Sequence, residues 1–444
     1  MFLVNIKGER VIMDNKKVAI IGAGYTGLSL AKKLVDNGCK VEIFEKDNEI
    51  GGIAKSINIE NTKIEKHYRH IFKSDNYVID LIKELGLYEK LKWPETKMGY
   101  FTDNSIYAFG TPITLLKFKP LNFWDKIRFG FCIINIKLIK DYKKLEKITA
   151  EEWIKDKYGK KVYEKIWEPL LISKFGENKD KISMAWLWGK ICLRSSSTTM
   201  NGEKLGYLEG SYEVLIKKLE KYLKNNNCKI HINEAVDTIK KNENSKWTIN
   251  TEKEEFDCIV STTAYPITKE IFKEYLSKEE QNIMDKLEYT SAKTLMIVAK
   301  KSLSKYYWIN IGDRTIPFGG IIEHTNMIDK KEYNGKNIIY ISNYMYKTDK
   351  LYKMSAEELL EEYFKSLQKI NSNFNKNDIE KVLVFEEEYA QPVIKTNYSK
   401  EEIKIKLKEK GLYVSSMAQI YPEDRGMNYA IKIGYETADI ILKD

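Results

Sequence analysis

A strand–glycine–helix–strand pattern near the start of the chain constrains its fold more than any other feature. The apolar run Val18–Ile21 predicts a buried parallel strand, and glycines follow it in G-x-G-x-x-G spacing at Gly22, Gly24 and Gly27. Such glycines allow a tight turn, close approach of the backbone to a pyrophosphate, and close packing of the next helix, whose free N–H groups face the phosphates. A second strand ends at Glu45, where an acidic side chain accepts hydrogen bonds from ribose hydroxyls. The pattern predicts a dinucleotide-binding βαβ unit.

A second glycine pair, Gly51-Gly52, follows Glu45 after an interval of five residues. This E-x5-G-G tail resembles the FAD-binding signature of the amine oxidase, protoporphyrinogen oxidase and phytoene desaturase group. The resemblance implies that the cofactor is FAD rather than NAD. Further cofactor contacts are assigned to Tyr25, Thr26, Lys46, Ile53, Val236 and Thr262.

A loop and a final helix near the end of the chain form the second strong signal. The loop YPEDRG spans residues 421–426, and a helix is predicted to begin at Met427. A helix N-terminus preceded by glycine suits an anion or the N1–C2=O region of a reduced flavin. By resemblance to the same flavoprotein group, Arg425, Gly426, Met427 and Asn428 contact the cofactor. No cysteine lies in this loop, so we expect the FAD to be bound non-covalently.

Composition and charge exclude several classes of protein. No run in the 444 residues reaches the roughly 20 apolar residues of a membrane span. The first residues lack the features of a signal peptide, so we expect a cytoplasmic protein with at most peripheral contact with the inner membrane face, and residues 1–12 as an extension. The five cysteines and four histidines are scattered, which argues against a metal site. The net charge of +10 comes from lysines interleaved with acids, so no nucleic-acid binding is expected.

The order of helical and strand patterns predicts an α/β protein of two interleaved domains. The first is a Rossmann-type FAD-binding domain built from three segments, residues 16–92, 206–270 and 409–444. The second is an α+β substrate domain of mixed sheet plus helices, with a helical insertion within residues 93–205 and a sheet within residues 271–408.

The segment 113–139 mixes Leu, Phe, Trp and Ile with Lys and Arg. This mixture is typical either of an amphipathic element at a membrane surface or of helices that cover a substrate cavity. Pro120 interrupts the segment and charges recur through it, so we favour helices that cover a cavity.

The cluster KHYRHIF, residues 66–72, places two histidines, a tyrosine and an arginine together. Histidine beside a flavin can shuttle protons, so His67 and His70 are candidate catalytic residues, and Arg69 is a candidate for substrate binding. The stretch HIFxSDN, which begins at His70, resembles the segment that places a histidine beside the flavin in UDP-galactopyranose mutases. Tyr68-Arg69 stands where those mutases have glycine-proline.

Arginine is rare in this lysine-rich chain, so each of its six arginines is a candidate for bidentate pairing with an anion. The order of residues from Lys174 through Arg194 to Tyr207 resembles one in the mutases, where an arginine grips the nucleotide diphosphate. Lys174, Arg194 and Tyr207 are therefore assigned to substrate binding. Lys293, at the start of an apolar strand, resembles the amine oxidase lysine that holds a water against flavin N5 and is a candidate catalytic residue.

These resemblances imply an FAD-dependent oxidoreductase that transfers a hydride to flavin N5 from an unidentified organic substrate. The partner expected is a small molecule, and anionic and lipid-linked molecules are among the candidates. One alternative is a mutase-like isomerase that acts on a nucleotide sugar without net redox change. A second alternative is a flavin-binding subunit without chemistry of its own. One flavin scaffold hosts many reactions, so all three functions stay open at this point.

Overall fold

The computed structural model describes residues 16–200, 202–251 and 253–444, so the predicted extension at residues 1–12 lies outside the described part of the chain. The strands, in chain order, are β1 (Lys17–Ile21), β2 (Lys40–Glu45), β3 (Ser56–Ile59), β4 (Thr62–Glu65), β5 (Leu91–Lys92), β6 (Glu95–Thr96), β7 (Met98–Thr102), β8 (Ser105–Phe109), β9 (Glu203–Lys204), β10 (Tyr207–Leu208), β11 (Lys229–Ile232), β12 (Ile239–Lys241), β13 (Trp247–Ile249), β14 (Cys258–Ser261), β15 (Tyr289–Ala299), β16 (Trp308–Ile311), β17 (Gly320–Glu323), β18 (Asn337–Met345), β19 (Ile379–Pro392) and β20 (Leu412–Val414).

Thirteen α-helices are present in the described part of the chain. They are α1 (Tyr25–Asp36), α2 (Asn76–Glu84), α3 (Pro112–Leu116), α4 (Phe123–Leu138), α5 (Ala150–Tyr158), α6 (Lys160–Val162), α7 (Glu168–Phe175), α8 (Met184–Ser195), α9 (Glu213–Asn225), α10 (Tyr265–Phe272), α11 (Lys278–Lys286), α12 (Ala356–Ile370) and α13 (Met427–Lys443).

The first sheet is parallel throughout and has the strand order β11-β2-β1-β14-β20. Side chains along β1 alternate between two faces. Val18 and Ile20 pack with residues of α1, α9 and α13, whereas Ala19 and Ile21 pack in a second core with residues of α10, β12 and β13. Because both faces are covered, the central strand has to be apolar at nearly every position, as its sequence is.

The second sheet is mixed, with seven strands in the order β19-β15-β18-β17-β16-β7-β8. Its long strand β15 is antiparallel to both β18 and β19, while β7 runs parallel to β16. A parallel sheet beside a mixed sheet confirms the predicted fold class. The strands of the parallel sheet fall at residues 17–45, 229–261 and 412–414, and those of the mixed sheet at 98–109 and 289–392.

Helices α3 to α8 form a separate layer with its own apolar core, which includes Phe129, Trp153, Tyr163 and Trp186. This layer packs on β7 and β8 through Tyr100 and Phe109, and on the C-terminal loop through Tyr421. Within the described ranges, no helix has both the length and the apolar character that crossing a bilayer requires.

Candidate active site

One cavity of about 1260 Å³ lies where the carboxyl ends of the parallel strands meet the mixed sheet. The ends of β1, β2 and β14 contribute Gly22, Glu45 and Thr262, and the mixed sheet contributes Thr294 and Phe385. Ligands of open α/β sheets bind at the carboxyl ends of the strands. The cavity is larger than the roughly 300–1,000 Å³ of ordinary ligand pockets, which leaves room for a dinucleotide and a second molecule.

The turn after β1 depends on glycine for two different reasons. Gly22 has φ +103°, a conformation that side chains disfavour, and its N–H donates to the Phe44 carbonyl oxygen at 2.8 Å. A Cβ at Gly27 would lie 2.0 Å from the Gly22 carbonyl oxygen, so glycine is required there for α1 to pack on the turn. At Gly24, by contrast, a Cβ would meet no protein atom within 4 Å, and the residue lines the cavity. Gly22 and Gly27 are therefore required by the fold, whereas the absence of a side chain at Gly24 leaves space for a ligand.

The second glycine pair completes the same surface. Gly51 N–H donates to the Ala23 carbonyl oxygen at 2.8 Å, and a Cβ at Gly52 would lie 3.3 Å from the Gly24 Cα. The E-x5-G-G tail therefore packs directly on the glycine turn. No side chain caps the N-terminus of α1 and no acid lies in its first turn, so its N–H groups are available to an anion in the cavity.

Glu45 is buried and its carboxylate is held by the backbone. Oε2 accepts from Ala23 N at 2.8 Å, and Oε1 accepts from Asp47 N at 3.1 Å. Each carboxylate oxygen can accept a further hydrogen bond. Because Glu45 also lines the cavity, this remaining capacity is available to a donor in the cavity, as expected for an acid that accepts from a ribose.

A second uncapped helix N-terminus opens on the cavity. Gly426 precedes α13 in an extended conformation, no side chain caps the helix, and a Cβ at Gly426 would meet no atom within 4 Å. Helices α13 and α1 pack closely, since a Cβ at Gly434 would lie 2.4 Å from the Ser29 Oγ and 2.7 Å from the Thr26 carbonyl oxygen. This close packing brings the N-termini of both helices to one cavity.

The histidine–arginine cluster lines the opposite part of the cavity. His67 Nδ1 lies 2.9 Å from Thr294 Oγ1, and His70 Nδ1 lies 3.0 Å from the Tyr307 hydroxyl. Burial, with nearby cations adding to it, lowers the pKa of each imidazole to about 3, so both are neutral at pH 7. Each can therefore donate through one ring nitrogen and accept through the other.

Arg69 is buried and only part of its guanidinium is paired. One terminal nitrogen donates to the Ile53 carbonyl oxygen at 2.6 Å, while Nε is buried without a hydrogen-bond partner. Burial lowers the pKa of Arg69, and the nearby Glu65 carboxylate opposes that effect. An unmatched buried donor in a cavity wall is costly unless a ligand or water satisfies it.

A cluster of three cations around one carboxylate lines the cavity near the C-terminal loop. Lys174 Nζ lies 3.1 Å from Asp424 Oδ1, and Lys190 Nζ lies 2.5 Å from Asp424 Oδ2. Arg425 stands next to them, with Nε donating to Gln391 Oε1 at 2.9 Å and a terminal nitrogen donating to the Tyr344 hydroxyl at 2.8 Å. These cations outweigh the effect of burial and hold the pKa of Asp424 well below its usual range. Burial lowers the pKa of Lys174 well below its ordinary value.

Comparison with known proteins identifies this architecture. The family model of flavin containing amine oxidoreductases matches residues 25–442. The chain belongs to this family. The resemblance inferred from the sequence is therefore confirmed, and the cofactor of the family, FAD, is the ligand expected in the cavity.

Among curated relatives of this amine oxidoreductase, the mitochondrial protoporphyrinogen oxidase of Nicotiana tabacum is 29% identical over 189 residues. That alignment covers 40% of this chain and only 36% of the relative. A solved structure from Exiguobacterium sp. 255-15, named as a protoporphyrinogen oxidase, superposes with a TM-score of 0.76 at 16% identity and covers 97% of this chain and 99% of its own. Reduced UDP-galactopyranose mutase superposes with a TM-score of 0.74 at 15% identity over 96% of both chains. At these identities the structural likeness concerns the fold.

The residues present fit FAD. Two uncapped helix N-termini and the open space at Gly24 and Gly426 suit a diphosphate and a flavin ring that carries partial negative charge. Most of the residues assigned to the cofactor from the sequence line this cavity: Gly22, Gly24, Tyr25, Thr26, Glu45, Lys46, Gly51, Gly52, Ile53, Val236, Thr262, Arg425, Gly426, Met427 and Asn428. Gly27 lies behind them and serves the packing of α1. The side-chain oxygen of Asn428 accepts from Tyr77 N and Val78 N at 2.9 and 3.3 Å, so it caps α2.

The candidates for substrate binding separate into two groups. Arg69, Lys174 and Arg194 line the cavity together with His67 and His70. Tyr207 does not, because its hydroxyl donates to the buried Glu65 carboxylate at 2.8 Å. The assignment of Tyr207 to the substrate is therefore wrong.

The guanidinium of Arg194 is already paired. Its Nε and a terminal nitrogen donate to the two carboxylate oxygens of Glu203 at 2.7 and 3.0 Å, and its Cζ lies 5.5 Å from the ring centre of Trp308. Burial lowers the pKa of Arg194, but Glu203 outweighs that effect and raises it. The edge of the guanidinium that carries Nε and this terminal nitrogen is therefore taken by a protein carboxylate, which leaves fewer of its donors for an anionic ligand.

The prediction that Lys293 lies beside the flavin is wrong. Its neighbours on β15, Ala292 and Thr294, line the cavity, and successive side chains of a strand point to opposite faces. Lys293 is therefore on the far face of the sheet, where Nζ pairs with Glu386 Oε1 at 2.6 Å and donates to two backbone carbonyl oxygens.

Several residues that line the substrate part of the cavity were not found from the sequence. They are Lys190, Trp308, Tyr344, Phe385 and Asp424. Trp308, Tyr344 and Phe385 come from strands that follow a core-like pattern, so nothing in their own segments marks them. Lys190 and Asp424 lie inside segments already discussed, the stretch from Lys174 to Tyr207 and the loop 421–426. Their place in the site becomes visible only from the ion pair between them.

Proposed function

We propose that the chain is an FAD-dependent oxidoreductase that takes a hydride from a small organic substrate. The observation that carries this proposal is the single cavity on which two uncapped helix N-termini, the Glu45 carboxylate and the histidine cluster all open. Acceptance of a hydride is the chemistry that FAD supplies when bound. No cysteine among the described residues lines the cavity, which supports non-covalent binding.

The two histidines act in this proposal as neutral hydrogen-bonding groups. A base whose pKa is about 3 is a poor proton acceptor at neutral pH, so His67 and His70 are unsuited to general-base catalysis as they stand. Their Nδ1 atoms are held by Thr294 and Tyr307, which fixes both rings. We infer that they orient the substrate, and that an amine substrate binds in its neutral form, having lost its proton to solvent before binding.

An anionic substrate is the best match to the charges in the cavity. Lys190 and Arg425 carry positive charge beside the single carboxylate of Asp424, while burial lowers the pKa of the neighbouring Lys174. The imbalance disfavours a cationic amine and favours a carboxylate or phosphate beside Lys190, whose side chain is 37% exposed. The proposed substrate is therefore a small organic anion, free or attached to a lipid.

The same charges support a second candidate, a mutase-like isomerase of nucleotide sugars, because a diphosphate would also be attracted to them. The pairing of Arg194 with Glu203 speaks against it, since the residue expected to clamp the diphosphate is occupied. A subunit without chemistry is disfavoured because His67, His70 and Arg194 all line a roomy cavity.

Anaerobic absorption spectroscopy of the purified flavoprotein tests the proposal. The panel comprises anionic and neutral amines, porphyrinogens, lipid-linked sugars and nucleotide sugars. We expect an anionic member to bleach the oxidised flavin, and a Lys190→Ala variant to require more of that compound while a Lys221→Ala variant on the exposed face of α9 does not. Turnover of a nucleotide sugar only after reduction with dithionite would contradict the oxidoreductase and support the isomerase.

A further inference from the structure

In the described part of the chain, most of the exposed large apolar side chains lie on one small helical unit, α3 and α4. Seven of them occur between Ile113 and Leu138, and Trp124 and Phe131 are 67% and 61% exposed. Exposed apolar side chains scattered singly are ordinary, whereas a contiguous group marks a surface that contacts something else. The expectation that this segment covers the substrate cavity is wrong, since none of residues 113–139 lines it.

Helix α4 carries two apolar stripes. The inner stripe, Phe129, Cys132 and Ile136, is buried against the rest of the helical layer. The outer stripe consists of Trp124, Ile127, Phe131, Ile134 and Leu138, whose spacings of three and four residues place them on one face. A helix of a water-exposed layer needs only the inner stripe, so the outer stripe has no explanation in the fold.

Helix α3 extends the same surface. Ile113 and Leu116 are exposed, and Lys126 Nζ of α4 donates to the Leu116 carbonyl oxygen at 2.7 Å, which holds the end of α3 beside the first turn of α4. Phe123 and Trp124 lie there with their ring centres 5.5 Å apart. The apolar residues of both helices therefore form one patch.

The patch is surrounded by unpaired positive charge. Residues 112–147 contain nine lysines and arginines and three acids. None of the nine pairs with an acid in the described part of the chain, although lysines elsewhere form many ion pairs, and the buried Asp125 pairs with Lys161 outside this stretch. An exposed apolar stripe rich in Trp and Phe, flanked by Lys and Arg, matches an element that lies in the interface of an anionic bilayer.

We propose that the outer face of α3 and α4 docks on an anionic lipid surface, with the outer stripe inserted among the acyl chains and the surrounding lysines at the headgroups. Helix α4 also contacts α8, where Trp188 Nε1 donates to the Ile139 carbonyl oxygen at 3.0 Å, and α8 lines the cavity with Lys190 and Arg194. A docked bilayer thus lies one helix away from the substrate cavity. This inference does not depend on the proposed reaction.

Flotation of the FAD-loaded protein with vesicles tests the proposal. Vesicles of phosphatidylcholine alone are compared with vesicles of phosphatidylcholine and phosphatidylglycerol in equal parts. We expect binding to the anionic vesicles that weakens as salt is raised. A Trp124→Ser/Phe131→Ser variant should bind at least about tenfold more weakly, because two side chains of the inserting stripe are lost. A Lys137→Glu/Lys140→Glu variant should also lose about tenfold or more, since each basic residue contributes to attraction by anionic lipid.

Matched variants on other surfaces control for general effects. Tyr88→Ser/Ile232→Ser removes exposed apolar side chains elsewhere, and Lys218→Glu/Lys221→Glu reverses two exposed charges on α9; both should bind vesicles like the wild type. Unchanged melting temperature and flavin spectrum show that each variant is folded. The proposal is overturned if the wild type does not float with anionic vesicles, if the patch variants float as well as the controls, or if the patch instead forms a dimer that Trp124→Ser/Phe131→Ser breaks.

Discussion

The glycines of the first turn allow cofactor binding to be separated from folding by two single substitutions. A Cβ at Gly24 would meet no protein atom within 4 Å, and the backbone there has φ −76°, which alanine adopts freely. A Cβ at Gly27 would lie 2.0 Å from the Gly22 carbonyl oxygen. Gly24→Ala should therefore leave the protein without cofactor as stable as before, within about 0.5 kcal/mol, whereas Gly27→Ala should destabilise it by about 3 kcal/mol or more.

The effect on FAD should run in the opposite order. The methyl group of Gly24→Ala occupies cavity space beside the N-terminus of α1, where the diphosphate is expected to accept backbone hydrogen bonds. A hydrogen bond to a charged group contributes about 1.5–3 kcal/mol, so loss of one weakens FAD binding by roughly tenfold to a hundredfold. Gly24→Val adds two further methyl groups and should weaken it more.

Thermal unfolding of cofactor-free protein and titration with FAD, followed by quenching of flavin fluorescence, measure the two quantities. Gly130→Ala is the matched control, because a Cβ there also meets no atom within 4 Å but the residue lies in α4, away from the cavity. If Gly24→Ala binds FAD as tightly as Gly130→Ala, the diphosphate does not lie on this turn and the reasoning fails.

Three further predictions concern the charged groups. Glu45→Ala should lower FAD affinity about tenfold through loss of an acceptor for the ribose, and unchanged flavin occupancy would contradict that role. Arg194→Ala should cost about 3 kcal/mol, because it leaves the buried Glu203 unpaired, and an unaltered urea midpoint would refute this. Burial lowers the pKa of His67 and His70 to about 3, so between about pH 6.5 and pH 3 the unfolded chain binds protons that the folded chain does not. The free energy of unfolding should therefore fall with decreasing pH by up to about 1.4 kcal/mol per unit for each histidine, and His67→Gln/His70→Gln should make the fall shallower; parallel pH profiles would refute it.

The cofactor half of the site was predictable from the sequence because its chemistry is local. Strand, glycine turn, helix and acid follow one another between Val18 and Glu45, so spacing alone fixes their relation. The final helix was placed at the flavin by resemblance, and the physical reason for its position, close packing at Gly434, becomes visible only against α1. The parallel sheet was likewise predictable, because its buried strands are short, continuous apolar runs in the sequence.

The substrate half of the site was less predictable from the sequence. It depends on which face of a strand or helix each side chain occupies, and on which residues from distant segments pair with one another. Lys293 shows the first difficulty, since a shift of one residue along β15 would have placed it in the cavity instead of Thr294. Segment 113–139 shows the second. Its composition suits both a cavity cover and a membrane surface, and only the folded structure shows that none of its residues lines the cavity.

The sequence predicted that an arginine would bind the anionic substrate, but in the structure the basic side chains best placed to do so include lysines. The sequence favoured Arg194 for an anionic substrate, because a planar fork suits a carboxylate or phosphate, but that fork is satisfied by Glu203 and holds α8 to β9. Lys174 and Lys190 share one carboxylate, Asp424, with Arg425 beside them, so basic side chains outnumber acidic ones at that point of the cavity. A basic side chain can bind an anion when a protein carboxylate does not already neutralise it. The best candidate here is Lys190 of α8, which reaches the C-terminal loop and is partly exposed. That loop also precedes α13, whose uncapped N-terminus opens on the same cavity.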